Sequence, residues 1–112
     1  MSEDAEPHRA QLLQIEARHD RAEATIILDG ELDIRTVERF LASIRDALEV
    51  QPGSIAVDAR SVAFLDSSGL AAFLHARSAT GAAGVSFHIS EASPEVRRMA
   101  EIAGVAELLL DD

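Results

Sequence analysis

The segment Asp66-Ser67-Ser68-Gly69 interrupts a mostly apolar stretch, FLDSSGLAAFL, at residues 64–74. A serine hydroxyl in such a setting can attack a substrate, receive a phosphoryl group, or accept a hydrogen bond from a free N–H at a helix start. Helix capping is the interpretation that local sequence favours, because an apolar pattern of helical period follows at once. Capping accounts for one polar residue better than for three in a row followed by glycine.

The surrounding residues give little support to a nucleophilic serine. A hydrolase elbow requires the pattern G-x-S-x-G, and the residue two positions before Ser67 is Leu65. The four histidines fall in a predicted tail, turn, helix and strand, and nothing in the sequence places one of them beside Ser67: His8, His19, His75 and His88. A small hydrolase using Ser67 is therefore an alternative of low weight.

Two other patterns resemble ligand sites only superficially. TGAAG at 80–84 lacks the Lys-Ser or Lys-Thr of a phosphate-binding loop, and it is predicted instead to end a helix. Asp29, Glu31 and Asp33 alternate along a predicted strand but lack the glycine and later glutamate of a calcium loop. They are predicted to form a solvated acidic rim, so neither a metal nor a cofactor is expected.

Ser67 also suits the role of a substrate for another protein's active site. A hydroxyl at a strand-to-helix corner is exposed, and the nearby Gly69 would allow close approach. Helix capping, catalysis and modification thus remain three interpretations of the same segment.

Composition narrows the function classes. The chain has 112 residues, 47% of them apolar, which predicts one folded domain. A net charge of −10 and the absence of Trp and Tyr argue against DNA or RNA as a ligand. The absence of cysteine, of an apolar leader and of a run long enough to span a bilayer predicts a cytoplasmic protein without membrane contact.

The elements that must position Ser67 follow from periodicity. Four strands are predicted at 12–17, 24–30, 54–59 and 85–90, with the polar link 18–23 joining the first two as a hairpin. Val37, Phe40, Leu41, Ile44 and Leu48 form one face of a helix that Asp33 or Thr36 could cap.

A second helix is predicted after the DSSG segment, and a third starts with Ser93 as N-cap and Pro94 as N1 and ends at Gly104. Val96, Met99, Ala100 and Ala103 are its expected buried stripe, and 105–110 is either a short strand or a helix. The order β-β-α-β-α-β-α predicts a single α/β domain with a mixed sheet and flanking helices.

Four segments in this order resemble STAS domains, and more narrowly bacterial anti-sigma factor antagonists: GELD (30–33), AVDA (56–59), FLDSSGL (64–70) and SPEVRRMAEIAGV (93–105). The resemblance covers roughly residues 12–110. It implies a small STAS-like α/β fold, which we expect over residues 11–112, after a flexible tail at 1–10. We expect a free-standing domain, since no transporter segment precedes it, and a monomer, since no stretch outside the three amphipathic helices forms an obvious apolar oligomerisation surface.

The resemblance implies a protein that is not an enzyme. Such antagonists, when unphosphorylated, bind an anti-sigma factor that is also a serine kinase, and this releases a sigma factor in a partner switch often tied to stress response. The kinase phosphorylates the serine after the motif's aspartate, which corresponds to Ser67, and a serine phosphatase reverses it. Asp33 matches the family's acidic residue near this serine. The expected partner-binding residues are Asp33, Asp66, Ser67, Ser68, Gly69 and Leu70.

The switch is expected to be electrostatic. Phosphorylation would add about −1.5 to −2 charges at Ser67, beside Asp33 and Asp66, which we expect to make the local field negative. One departure from the family pattern is Ala71, where a second glycine is common. Some STAS domains act instead as unphosphorylated scaffolds or accessory modules, which is the alternative function.

Overall fold

The computed structural model describes residues 12–20 and 22–110. The strands are β1 (Leu13–Asp20), β2 (Glu23–Leu32), β3 (Ser54–Leu65) and β4 (Ser86–Ala92). The helices are α1 (Val37–Glu49), α2 (Ser67–Ala82), α3 (Pro94–Ile102) and the single turn α4 (Ala106–Leu109). The predicted tail at residues 1–10 lies outside the described residues.

The four strands form one sheet in the order β1-β2-β3-β4. β1 runs antiparallel to β2, whereas β2, β3 and β4 run parallel to one another. Parallel neighbours need crossover connections, and α1 and α2 supply them. The predicted mixed α/β sheet is confirmed.

One hydrophobic core lies between the sheet and the helices. Strand residues of alternating position face it, such as Ala24, Ile26 and Leu28 of β2, all fully buried. Phe40 of α1 and Phe73 of α2 meet edge to face within it, with ring centroids 5.4 Å apart. The intervening β2 positions are exposed or half-buried, so the other face of this strand is open to solvent.

The hairpin between β1 and β2 is tighter than predicted. β1 continues to Asp20 and β2 begins at Glu23, so residues 18–20 and 23 of the predicted link belong to the strands. The polar residues that suggested a long link instead belong to strand ends that lie in solvent. These residues are polar because they are exposed, and not because the pairing of β1 with β2 is interrupted there.

One helix prediction is confirmed and one needs correction. Helix α2 ends at Ala82, within the TGAAG segment at 80–84 as predicted, and Gly84, with φ +76°, follows the helix end. In α3, Ser93 is the N-cap as predicted and accepts the Val96 N–H at 3.2 Å. Ala103, however, is exposed.

The C-terminal segment 105–110, predicted as either a short strand or a helix, contains a short piece of each. Residues 106–109 form one helical turn, and Leu110 then makes a parallel bridge to Ile89 in β4.

Gly69 permits the close contact on which the α2 start depends. A Cβ at this position would collide with the carbonyl oxygen of Leu32 and with Cδ1 of Leu65. Both neighbours belong to strand ends, since Leu32 closes β2 and Leu65 closes β3. Glycine therefore lets the first turn of α2 pack directly on the end of β2.

We expect Gly69→Ala to destabilise the fold by about 1–3 kcal/mol, because the backbone carbonyl of Leu32 has little room to move. The matched control is Gly81→Ala in the same helix, where an added Cβ meets nothing within 4 Å. That change should stabilise the fold by roughly 0.5–1 kcal/mol. Urea unfolding measures both, and effects of the same sign would contradict this packing.

Candidate functional site

The sheet register brings the GELD and FLDSSGL segments together. Leu32 and Leu65 are Cα partners in the parallel pair of β2 and β3. Asp33 and Asp66 each follow one of these partners, and neighbouring strands lie about 4.8 Å apart. Two turns that are more than 30 residues apart in the chain therefore form one continuous edge at the carboxyl ends of the strands.

The turn between β2 and α1 is held by a closed hydrogen-bond network. Arg35 donates its backbone N–H to Oδ1 of Asp33 at 2.9 Å and its Nη2 to Oδ2 at 2.6 Å. The same guanidinium also donates to the carboxylate of Glu31. The Thr36 hydroxyl accepts the Asp33 N–H at 3.1 Å and donates to the Glu31 carbonyl at 2.8 Å.

Asp33 is buried, with 5% of its surface exposed, and it does not belong to a solvated acidic rim. Hydrogen bonds from Arg35 hold the pKa of Asp33 below its usual value, against the opposing effect of burial. The expectation of two bare carboxylates beside Ser67 is thus wrong for Asp33, because a guanidinium partly neutralises its charge. The side chains of Asp33 and Thr36 also serve the turn rather than capping α1.

The second turn starts helix α2 with Asp66 as its N-cap. The Asp66 carboxylate accepts the Gly69 N–H at 3.0 Å, and the Asp66 carbonyl accepts the Leu70 N–H at 3.1 Å. Ser67 is the first residue of the helix and is exposed, whereas Ser68 is half-buried. Since the aspartate performs the capping, the Ser67 hydroxyl is not needed for that role.

The six predicted partner-binding residues divide into two groups. Asp66, Ser67 and Ser68 retain exposed surface, so other molecules can reach them. Asp33, Gly69 and Leu70 are buried, and the structure gives them contacts within the turns or the core. Partner binding stays a prediction for all six.

Three residues of this edge were missed by the sequence analysis. Ile34 lies at the tip of the β2–α1 turn with 72% of its surface exposed, and Phe64 precedes Leu65 with 48% exposed. Both are large apolar side chains in solvent, one next to Asp33 and the other two residues before Asp66, and exposed apolar groups at such an edge can form a contact surface. Arg35 is the third. An isoleucine inside the polar run LDIRT, outside any helical stripe, was the available signal for Ile34.

The described histidines lie away from Ser67. His19 pairs with Ala24 near the β1–β2 hairpin, and His88 pairs with Ala56 near the start of β3, at the opposite end of the sheet. His75 is eight positions further along α2, about 12 Å by helical rise. None of these three histidines is therefore placed to act as a general base for Ser67.

Neither a metal centre nor a membrane span emerges from the described residues. Within 12–20 and 22–110, no three His, Asp or Glu side chains are grouped so that they could hold a metal ion. Over the same ranges, no helix has both the length and the apolar character needed to cross a membrane.

Comparison with known proteins decides the family. A family model described as "Mlab, STAS domain" matches residues 15–111, which includes both turns of the site. The chain belongs to the STAS domain family. This confirms the resemblance drawn from the four sequence segments.

Individual STAS relatives share a substantial part of the sequence. An anti-sigma F factor antagonist of Paenibacillus polymyxa is 28% identical over 98 residues, covering 87% of this chain and 84% of the relative. A STAS-domain containing protein of Pseudomonas aeruginosa is 33% identical over 92 residues, covering 80% and 87%.

Solved STAS structures share the fold. The unphosphorylated form of the anti-sigma factor antagonist SpoIIAA superposes with a TM-score of 0.72 at 28% identity, covering 89% of this chain and 87% of that one. The phosphorylated form of the Bacillus cell fate determinant SpoIIAA gives a TM-score of 0.67 at 27% identity, covering 89% and 90%. An antagonist from Mycobacterium paratuberculosis, at 20% identity, covers 87% and 82% with a TM-score of 0.77.

The Arg35–Asp33 pair predicts a specific pH dependence. Because the folded-state pKa of Asp33 is depressed, its stabilisation is present above the unfolded value of about 3.9 and is lost as the pH falls through the folded pKa. Arg35→Met should therefore destabilise the protein most at neutral pH and least under strongly acidic conditions. Urea unfolding across this pH range measures the difference.

Arg35→Lys is the matched control for the Arg35→Met variant. It keeps the positive charge but loses the planar guanidinium, whose Nε reaches Oδ1 and whose Nη2 reaches Oδ2 of Asp33, so an intermediate effect is expected. A loss of stability in Arg35→Met that is the same at every pH would show that the ion pair is not its cause.

Proposed function

We propose that this STAS domain is an anti-sigma factor antagonist and that phosphorylation of Ser67 controls its partner. Unphosphorylated, it binds an anti-sigma factor that is also a serine kinase, and thereby releases a sigma factor. The kinase transfers phosphate to the Ser67 hydroxyl, and a serine phosphatase removes it. In this role the domain is a substrate and a binding partner rather than an enzyme.

The exposed Ser67 at the start of α2 carries this proposal. A kinase must place the hydroxyl in line with the γ-phosphate of ATP, which requires that it lie free at the surface. Asp66 supplies the helix cap, so modification of Ser67 leaves that hydrogen bond intact. Names of relatives support the same role, since two are anti-sigma factor antagonists and SpoIIAA is described in both phosphorylated and unphosphorylated forms.

Phosphorylation should leave the fold nearly unchanged. The phosphoryl group adds about −1.5 to −2 charges at a helix N-terminus, where an anion is stabilised by roughly 0.3–1 kcal/mol. The Gly69 N–H is already bonded to Asp66, which leaves the N–H groups of Ser67 and Ser68 facing the added phosphate. Arg35 in the neighbouring turn further offsets the negative charge of Asp33.

The free-energy cost of phosphorylating Ser67 therefore falls on the complex with the anti-sigma partner. Ile34 and Phe64 offer the partner exposed apolar contacts at the same sheet edge as Ser67, and a partner surface that covers this edge would exclude water from the hydroxyl. A phosphate buried at such an interface without a basic partner group would lose its hydration, which costs several kcal/mol. Each 1.4 kcal/mol corresponds to a tenfold weaker complex, so phosphorylation can act as a switch.

Intact-mass spectrometry tests the modification. When the purified domain is incubated with ATP, Mg²⁺ and each candidate anti-sigma kinase from its own organism, we expect one added phosphoryl group. Ser67→Ala should abolish it, whereas the adjacent Ser68→Ala should retain it. Stoichiometric labelling of Ser67→Ala, or no labelling by any candidate kinase, would contradict the switch and favour an unphosphorylated scaffold.

Calorimetry with the kinase identified in this way tests the effect of charge. Ser67→Ala should bind it as the unmodified domain does, and Ser67→Glu should bind at least about tenfold more weakly, because a carboxylate replaces a neutral hydroxyl at the contact. Equal affinities of these two variants would count against the electrostatic account.

Ile34 should contribute to the same contact. We expect Ile34→Ser to weaken binding of the anti-sigma partner about tenfold, the usual scale for losing one apolar anchor at an interface. Val50→Ser is the control, since Val50 is 60% exposed but follows the far end of α1, about 20 Å away by helical rise. Equal effects of the two changes would show that the contact is not at this edge.

A further inference from the structure

The free edge of β1 has hydrogen-bonding groups on the side away from β2. In the β1–β2 ladder, the Glu31 N–H donates to the Leu12 carbonyl, so even-numbered β1 positions point toward β2. Odd-numbered positions then point outward. Arg39 confirms this alternation, because its Nη1 donates to the outward carbonyl of Leu13 at 2.7 Å.

Arg39 covers only the Leu13 end of this edge. The outward groups of Ile15, Ala17 and His19 belong to an edge strand with β2 as its sole sheet neighbour among the described strands, and residues 16–20 are exposed. An edge of this kind accepts another strand by backbone hydrogen bonding.

We propose that β1 pairs antiparallel with β1 of a second copy of this chain, about a two-fold axis at Ala17. In this register Ile15 lies opposite the partner's His19. The outward backbone groups of these odd-numbered positions then form the hydrogen bonds between the two copies. The intervening positions are the closely spaced, non-hydrogen-bonded pairs, and there Glu16 lies opposite the partner's Arg18. The symmetry repeats this pair, so two opposite charges meet on each side of the axis.

Charge favours this register over the two nearest ones that backbone hydrogen bonding allows. Moving the axis to position 16 would place the two copies of Glu16 opposite each other. Moving it to position 18 would oppose the two copies of Arg18 and would also bring Glu16 against Asp20. Like charges directly opposite destabilise a strand pair, and opposite charges stabilise it. The Glu16 and Arg18 side chains are themselves exposed, at 57% and 67%.

The dimer would leave the Ser67 edge free. Leu13, at the start of β1, pairs with Gly30 near the carboxyl end of β2, so the two-fold axis at Ala17 sends the two Ser67 sites to opposite ends of a continuous sheet. A monomer was expected because no apolar surface suggested assembly. Strand pairing needs no such surface, and an interface of seven residues per copy, 14–20, predicts a weak, concentration-dependent dimer.

A charge-swap experiment tests this register. Sedimentation velocity over a wide protein concentration series should show the full chain in reversible monomer–dimer exchange. Glu16→Arg places arginines opposite each other and Arg18→Glu places glutamates opposite each other, so each variant alone should dimerise at least about tenfold more weakly. An equimolar mixture of the two variants restores both opposite-charge pairs and should recover the dimer.

Each substitution also removes a contact within one chain, where Arg18 Nε donates to Glu16 Oε2 at 2.8 Å. Recovery of the dimer in the mixture shows that the loss in each single variant comes from pairing between chains. Both substitutions lie at exposed positions, and circular dichroism verifies that each variant is folded. A full chain that stays monomeric at every concentration would overturn the proposal, with the charges then serving to protect a free edge. Single variants that dimerise as strongly as the full chain, or a mixture that stays monomeric, would also overturn it.

Discussion

The parallel pairing of Leu32 with Leu65 is the constraint on which the site depends. It places the last residues of β2 and β3 side by side, so the turns that follow share one edge of the sheet. Gly69 then allows α2 to begin in direct contact with the β2 end. Without this register, the β2–α1 turn with Asp33 and the β3–α2 turn with Ser67 would be separate loops, and a partner could not contact both at once.

Electrostatics at this edge is more balanced than the sequence suggested. The carboxylate of Asp33 is enclosed and bonded to Arg35, so it shapes the turn more than it adds a free negative charge. The exposed features include a hydroxyl at a helix start and two apolar side chains, Ile34 and Phe64. An edge whose acidic groups are partly paired and which exposes apolar side chains suits protein contact, and one added phosphate changes its charge sharply.

Much of the fold follows from local patterns. Alternation and short apolar runs predicted the four strands, although β3 continues to Leu65, beyond its predicted end at residue 59. The Ser93-Pro94 start of α3 was correct because its cap is a local interaction. Predictions failed where exposure resembled a break, as in the segment 18–23, and where a position of a helical stripe was assumed to be buried, as at Ala103. In both cases tertiary context outweighed local propensity.

The site was only partly predictable, for a related reason. Ser67 and Asp66 stand out because three polar residues interrupt an apolar run. The role of Arg35 was hidden, since an arginine after Asp-Ile carries no sign that its side chain turns back on that aspartate. The approach of the two turns depends on strand order and register, which no single segment encodes.

The most direct test of this account compares amide chemical shifts of the wild-type domain with those of Ser67→Glu by two-dimensional NMR. A charge added at the start of α2 should shift residues 64–70 and, across the strand register, residues 31–36, while the hairpin at residues 17–25 stays unchanged. Shifts confined to 64–70, with the 31–36 turn unaffected, would contradict the claim that the two turns form one site.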